Sequence, residues 1–196
     1  MDLGYIERRK KNLLTRYKIR YRTAKVLEMI KKYSNSEAPR ILDAGCCDGT
    51  MLRDISKSIS ASELVGIDNM AEFLKCGDIG ESPVRLENMD MEKGLGFEDK
   101  SFDVVIASSV IEHLSDADSF IKEVVRVLDS SGIFILLSVV PIYEKLMCAL
   151  KVKTTDHYRN FRKNEISKIV ETAGFKKTLH LETLFTKGYN LTVAQK

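Results

Sequence analysis

A glycine-containing turn and a distant aspartate are the residues whose types and spacing could bind a ligand. The apolar segment Ile41-Leu42-Asp43 runs directly into the turn Ala44-Gly45-Cys46-Cys47-Asp48-Gly49-Thr50. Glycine permits positive φ and close approach of a ligand, and N–H groups at a following helix start favour a polar group. Asp68 ends the next apolar segment, 23 residues after Gly45. An acid at that distance can accept hydrogen bonds from both hydroxyls of a ribose. The pattern therefore favours a nucleoside-type cofactor over a purely structural turn.

Other kinds of site fit the sequence less well. The turn lacks the spacing G-x-G-x-x-G of dinucleotide sites, and no Gly-Lys-Ser/Thr follows it as in a P-loop. Ser108, Ser109 and His113 lie close together in sequence, but no G-x-S-x-G elbow supports nucleophilic hydrolysis. The cysteines form no C-x-x-C pair and have no nearby histidine, so we expect no metal site and reduced thiols; they are Cys46, Cys47, Cys76 and Cys148.

The elements that must position these residues alternate along the chain after residue 39. The predicted strands are 41–43, 64–68, 84–86, 102–107, 133–140, 175–181 and 188–194, the last two as a closing hairpin. The predicted helices are 51–59, 70–74, 116–128 and 165–173, with a turn at 129–132. This order predicts a three-layer, doubly wound α/β sandwich with a mostly parallel seven-stranded sheet. Ligands of such a sheet bind beyond the carboxyl ends of its strands.

Composition limits the classes of protein to which the chain can belong. The 196 residues are 44% hydrophobic and 30% charged, which is typical of one soluble globular domain and excludes disordered, collagen-like and disulfide-dense chains. No apolar run approaches the roughly 18 to 20 residues needed to cross a bilayer. The start of the sequence lacks a hydrophobic signal-peptide core, so we expect a cytoplasmic protein.

The first 40 residues are strongly basic. They hold 12 Lys and Arg against 4 Asp and Glu, leaving 19 of the 31 basic and 24 of the 28 acidic residues for the remainder. We therefore divide the chain into a basic amphipathic helical arm or lid, 1–37, and a ligand-binding domain, 38–196.

Three roles for this arm remain open. As a lid it would cover the substrate pocket and pair with an anionic substrate, through Tyr5, Tyr17, Tyr21, Arg16, Arg20 and Arg22. As a docking helix, residues 5–33 would bind RNA or an acidic membrane surface, although no aromatic platform favours nucleic acid. As a solvated helix it would pack its apolar stripe on the domain. The oligomeric state stays open.

Five motifs in the correct order resemble the class I S-adenosylmethionine-dependent methyltransferases over roughly residues 38–195. ILDAGCCDGT resembles the family's first motif and LVGIDNM its second. NMDMEKGLGFEDKSFDVVIASSVIEHL is similar to its third and fourth motifs combined, and RVLDSSGIFILLS is similar to the segment before its fifth strand. The resemblance is to the small-molecule type, close to the methyltransferase domain 11 group, and it implies the Rossmann-like fold and S-adenosyl-L-methionine as cofactor.

The resemblance also implies roles for single residues. Asp43 and Gly45, with the following turn of Cys46, Cys47 and Gly49, would hold the methionine part of the cofactor. Asp68, in the segment with Asn69 and Met70, would hold the ribose. Asp90 would contact the adenine amino group, Met91 would flank the adenine ring, and Ser108 would lie near the reacting methyl. The family's central glycine is Cys47 here, which predicts weaker cofactor binding or a local shift of the turn.

The acceptor of the methyl group is less well defined by the sequence. His113, in the Glu-His-Leu segment, and His157, in a segment similar to the His-x-x-x-Phe insertion of several small-molecule methyltransferases, are candidates for substrate contact or a general base. Packing roles remain open for both, and His180 is expected to be structural. We expect a methyltransferase acting on a small molecule by O-, N- or C-methylation. A non-catalytic cofactor-binding protein and an RNA methyltransferase that uses the basic arm are the alternatives.

Overall fold

The computed structural model describes residues 11–77, 79–141, 157–184 and 188–196, and for 180–184 it describes only the backbone. Tyr5, Cys148 and the side chain of His180, all named from the sequence, lie outside this description.

The described residues form alternating helices and strands. The helices are α1 Leu13–Tyr33, α2 Thr50–Ser56, α3 Ala71–Lys75, α4 Ala117–Val127 and α5 Lys163–Ala173, with 3-10 turns at Met91–Lys93 and Ile111–His113. The strands are β1 Arg40–Ala44, β2 Glu63–Asp68, β3 Val84–Asn88, β4 Phe102–Ser108, β5 Leu128–Val139, β6 Lys177–Leu184 and β7 Tyr189–Gln195. Among these helices none has the length and apolar character needed to cross a bilayer.

The seven strands form one sheet in the order β3-β2-β1-β4-β5-β7-β6. β1, β2, β3, β4 and β5 run parallel, and β7 is antiparallel to both β5 and β6. The strand order reverses between β1 and β4. At such a reversal the crossover connections leave to opposite sides of the sheet, and ligands of this kind of sheet bind at the carboxyl ends beside it. The predicted doubly wound α/β fold and its closing hairpin are confirmed.

Each face of the sheet has its own hydrophobic core. On one face the buried side chains of β1 and β4 pack with α2 and with Val26, Met29 and Ile30 of α1. On the other face α4 and α5 pack against the alternate residues of the strands, including Phe120, Ile166 and Val170. The described part of the basic arm is therefore a helix that lies on the sheet and buries one side against it.

Two boundaries differ from the sequence prediction. The predicted turn at 129–132 is wrong, because these residues belong to β5. Leu128 pairs with Phe102 and Ile133 pairs with Val104, so the register shifts there and the extra residues are absorbed as an irregularity in the strand. Helix α2 ends at Ser56, so Ile59 lies beyond it and packs against the core from the loop.

Candidate functional site

At one position, the turn after β1 has a backbone conformation and a close contact that only glycine can accommodate. Gly45 has φ +83°, and a Cβ added there would lie 2.3 Å from Val110 Cγ2. The N–H groups of Gly45 and Cys46 both donate to Ile67 O, at 2.8 and 3.0 Å. Gly49 has φ +70° and donates its N–H to Cys46 O at 3.0 Å. The turn is thus held tightly across the ends of β1 and β2.

Asp68, at the end of β2, fixes the turn from the side of the next strand. Its Oδ2 accepts from Cys47 N at 2.9 Å and its Oδ1 accepts from Met70 N at 3.0 Å. The Asn88 amide of β3 donates to Asp68 O at 2.9 Å, which adds a link to the third strand. The carboxylate is oriented by the backbone on both sides.

Buried acids give this end of the sheet a negative character. Asp43, Asp48 and Asp68 are 2%, 4% and 9% exposed. Burial raises the pKa of the Cys46 thiol far above its usual range, and the charges of Asp43 and Asp68 add to the effect. Cys46 is therefore a neutral thiol, and its sulfur packs against Gly66 of β2, where a Cβ would come within 2.8 Å of it. The charge of the turn favours a cationic group of a ligand.

Cys47 adopts a backbone conformation that is usual for glycine. Its φ is +56°, in the left-handed region that residues other than glycine rarely occupy. Its side chain is 8% exposed and packs with Phe73, with Met70 and Cys76 at the edge of the same small cluster. The Cβ and sulfur are thus accommodated in an apolar cluster between the turn and α3.

This packing leads to an expected result for Cys47→Gly. We expect the Kd for S-adenosylhomocysteine to change by less than about threefold, since the side chain packs on Phe73 and the backbone already has the glycine-like φ. Isothermal titration calorimetry of both proteins measures the change. Binding more than about tenfold tighter in Cys47→Gly would show that the thiol occupies ligand space, as the sequence suggests.

Asp90 and Met91 follow β3 and have different environments. Asp90 caps the 3-10 turn, accepting from Glu92 N at 3.1 Å, and pairs with Lys93 Nζ at 3.1 Å. The hydrogen bond from Lys93 and then that from Glu92 N lower the pKa of Asp90, which is therefore ionised at neutral pH. Met91 is 8% exposed and belongs to the hydrophobic core, while Asn69 is exposed.

The loop after Met91 is held in place by Arg126 of α4. Its guanidinium donates to Leu95 O at 2.7 Å and Phe97 O at 2.8 Å, and it pairs with Glu123. The hydrogen bond from Arg126 lowers the pKa of Glu123, whose Oε2 also accepts from Leu95 N at 2.9 Å. The segment that carries Asp90 is thereby anchored on the helix layer.

The two candidate histidines lie together. The rings of His113 and His157 meet edge to face, with centroids 4.5 Å apart. Tyr158 N donates to Glu112 O at 2.8 Å, and the buried Glu112 carboxylate accepts from Val139 N at the end of β5. These bonds join the segment after residue 156 to the 3-10 turn after β4. His113 and His157, which sequence reasoning treats separately, form one pair.

The end of β4 meets the basic helix. Ser108 is the last residue of the strand, and Ser109 has φ +57° and donates its N–H to Leu137 O at 2.8 Å. Arg22 of α1 donates from Nη1 toward Ser108 Oγ and Ser109 Oγ, each at 3.4 Å. Sequence reasoning named Arg22 among the arm arginines and Ser109 beside Ser108, but it missed the contact between them, and it missed Val110 and Asn88. The motif order around Ser108 could have pointed to Val110.

A glycine turn, an oriented acid on the neighbouring strand and the reversal of strand order between β1 and β4 are together typical of α/β domains that bind nucleoside cofactors. Residues 42–136 match the family described as methyltransferase domain. The uncharacterized methyltransferase YcgJ of Bacillus subtilis is 29% identical over 113 residues, 56% of this chain and 44% of the relative. The sterol 24-C-methyltransferase erg6 of Aspergillus fumigatus is 31% identical over 129 residues, 63% of this chain and 30% of the relative. The chain spans less than half the length of these curated relatives.

A solved structure agrees in fold over almost the whole chain. A chain of the complex between the Haloferax volcanii Trm112 methyltransferase activator and its putative methyltransferase superposes with a TM-score of 0.78 at 17% identity, covering 98% of this chain and 94% of that one. The match to the methyltransferase domain covers residues 42–136, just under half of this chain, and one relative of this region is a probable S-adenosylmethionine-dependent methyltransferase of Mycolicibacterium smegmatis, 28% identical over 142 residues. Among the residues that the structure describes, no cluster of His, Cys, Asp or Glu is arranged to hold a metal ion.

Proposed function

We propose that this protein transfers a methyl group from S-adenosyl-L-methionine to a small-molecule acceptor. The observation that carries the proposal is the Asp68 carboxylate, held by Cys47 N at 2.9 Å and Met70 N at 3.0 Å beside a glycine turn that tolerates no Cβ at Gly45. Such an acid, oriented before the ligand arrives, suits the two hydroxyls of a ribose.

The residues around Asp68 fit the remaining parts of the cofactor. The acidic turn with Asp43 suits the ammonium of the methionine part, and the N–H groups at the start of α2 suit its carboxylate. Asn69 and Met70 would border the ribose, Asp90 and Met91 the adenine, and Ser108 the reacting methyl. The cofactor, when bound, supplies a methyl group already activated on a sulfonium. The task of the chain is then to align the acceptor with that methyl and to exclude water.

The substrate class can be tested by following the label from methyl-labelled S-adenosylmethionine. Protein is incubated with the small-molecule, RNA and protein fractions of a cell extract, with Asp68→Asn as the control. We expect label in the small-molecule fraction only, and less of it with Asp68→Asn when S-adenosylmethionine is below saturation. Label confined to RNA would assign an RNA methyltransferase. Cofactor binding without label in any fraction would favour a non-catalytic cofactor-binding protein.

The RNA alternative rests on the basic helix, and its charges can be removed without touching the core. Arg16, Arg20, Lys31 and Lys32 are exposed, and they lie outside the hydrophobic core, to which α1 contributes the buried side chains Val26, Met29 and Ile30. We expect the variant with glutamine at these four positions to keep its rate of methyl transfer. An RNA-directed enzyme would instead lose RNA affinity, and the salt dependence of that affinity would fall with each charge removed.

The histidine pair gives a separate expected result. If His157 or His113 removes a proton from the acceptor, His157→Gln lowers kcat by about 10²-fold or more while the Kd for S-adenosylhomocysteine stays the same. The contact between the rings makes the effects of His113→Gln and His157→Gln less than additive. Steady-state kinetics of both single variants and the double variant measure this. Unchanged kcat in all three would assign the pair a packing role.

A further inference from the structure

Arg22 is a charged side chain buried at the end of the sheet. It lies on the face of α1 that packs on the strands and is 9% exposed. Its Nη1 is 3.4 Å from Ser108 Oγ and from Ser109 Oγ, and its guanidinium carbon lies 4.7 Å above the ring of Tyr189. Three elements that are distant in sequence, α1, β4 and β7, therefore converge on this one cation.

The charge of Arg22 is not balanced within the part of the chain that the structure describes. No ion pair there involves Arg22, and its Nε, which is fully buried, has no hydrogen-bond partner among those residues. The neighbours of Nη1 are neutral hydroxyl groups at the outer limit of hydrogen-bond distance. A buried cation with an unused donor costs free energy unless an anion completes the site. Exposed arginines of the same helix, such as Arg20, carry no such cost.

The position of Arg22 separates it from the nucleoside half of the site. Asp68 lies on β2, to one side of β1, whereas Ser108 lies on β4 and Tyr189 on β7, to the other side. Along the register, Ser108 pairs with Leu137 of β5, and Val139 two residues further on pairs with Tyr189. Arg22 thus lies at the ends of β4, β5 and β7, in contact with Ser108, which the proposed function places near the reacting methyl.

We propose that Arg22 binds a carboxylate group of the methyl acceptor, so that the substrates of this protein are small carboxylic acids. This inference rests on the proposed function. A guanidinium offers a planar fork that matches a carboxylate with two parallel hydrogen bonds. The Tyr189 ring beneath the guanidinium and the Ser108 and Ser109 hydroxyls beside it hold the fork in one orientation.

The Arg22 Nε–H group gives a direct readout by NMR. Protein labelled with ¹⁵N in arginine is titrated with acetate and benzoate, and with acetamide and benzamide as uncharged partners of the same shape. We expect the Arg22 Nε signal, assigned by its loss in Arg22→Met, to shift and saturate with the acids only. We expect Arg22→Met to weaken benzoate binding by at least about tenfold, and Arg20→Met, which removes the same charge from an exposed position, to leave it unchanged.

Two results would overturn the proposal. One is a Nε signal that does not respond to either acid, or responds equally to the amides. The other is a lower affinity of Arg22→Met for S-adenosylhomocysteine together with an unchanged affinity for 5′-methylthioadenosine, which lacks the amino acid part. That result would mean that Arg22 binds the carboxylate of the cofactor. The titrations are made with and without S-adenosylhomocysteine. If the protein binds benzoate through Arg22 but does not bind the cofactor, the proposed function is contradicted. The anion site at Arg22 would then still be supported.

A structural role for Arg22 predicts a different set of results. In that case Arg22→Met lowers the melting temperature, since contacts to Ser108, Ser109 and Tyr189 are lost, and benzoate binding does not depend on the side chain. A binding role predicts a melting temperature that is unchanged or higher without ligand, because an uncompensated buried charge is removed. Thermal unfolding of Arg22→Met followed by circular dichroism distinguishes the two.

Discussion

Asp68→Ala is expected to weaken binding of S-adenosylhomocysteine by about 1 to 3 kcal/mol, or roughly 5- to 150-fold in Kd. Two causes act together. The ribose hydroxyls lose their acceptor, and the N–H groups of Cys47 and Met70, which donate to the carboxylate at 2.9 and 3.0 Å, lose the partner that orders the turn. Isothermal titration calorimetry of wild type and variant measures the change in free energy.

Asp103→Ala is the matched control for this result. Asp103 is also an aspartate near a strand end, but it lies near the start of β4, at the amino-terminal ends of the parallel strands. There it forms an ion pair with Arg40 at 2.9 Å. We expect its removal to lower the stability of the fold and to leave the Kd for S-adenosylhomocysteine unchanged. Equal Kd values for wild type and Asp68→Ala would mean that the ribose does not lie at the end of β2.

Gly45→Ala is expected to have the largest effect on the fold of the site. The added Cβ would lie 2.3 Å from Val110 Cγ2, and φ is +83°. Left-handed strain of about 1 to 2 kcal/mol and overpacking of about 1 to 3 kcal/mol combine to a loss of about 2 to 5 kcal/mol in the free energy of unfolding. Relief of the clash by movement of the turn would also weaken cofactor binding. Urea denaturation measures the stability, and calorimetry measures the binding.

Two further variants separate the causes of this loss. Gly80 has φ +55° and a Cβ there would meet nothing within 4 Å, so Gly80→Ala reports the backbone strain alone. Val110→Ala in the Gly45→Ala background removes the clashing methyl group and should restore part of the stability. Equal losses for Gly45→Ala and Gly80→Ala would contradict the close contact between the turn and Val110.

The sequence predicts most of the architecture because its signals are local. Apolar strands such as Phe102–Ser108 alternate with amphipathic helices such as Ala117–Val127, and this order alone defines a doubly wound sheet. The turn at Gly45 and the acid at Asp68 follow from the same reasoning, because the carboxyl ends of parallel strands meet at one edge. The positions of Gly45 and Asp68 at the carboxyl ends of β1 and β2 are therefore predictable from the amino-acid sequence.

What the sequence does not predict depends on contacts between distant segments. The left-handed backbone of Cys47 and its packing on Phe73 require the position of α3. The pairing of His113 with His157 joins residues 44 positions apart. The burial of Arg22 depends on how α1 is rotated on the sheet, since its basic and apolar residues alternate too closely for periodicity alone to decide which arginine faces inward. The irregular register between β4 and β5 likewise leaves no signal in the sequence other than a group of turn-forming residues.

Titration of the protein with S-adenosylhomocysteine is the most direct test of the cofactor site at the ends of β1 and β2. We predict binding of one molecule per chain with a Kd in the micromolar range, about 8 kcal/mol of binding free energy, and a Kd roughly 5- to 150-fold higher in Asp68→Ala. S-adenosylmethionine should compete for the same site. The protein used is first shown by circular dichroism to be folded. If neither compound then binds at millimolar concentration, the cofactor site at the ends of β1 and β2 is contradicted.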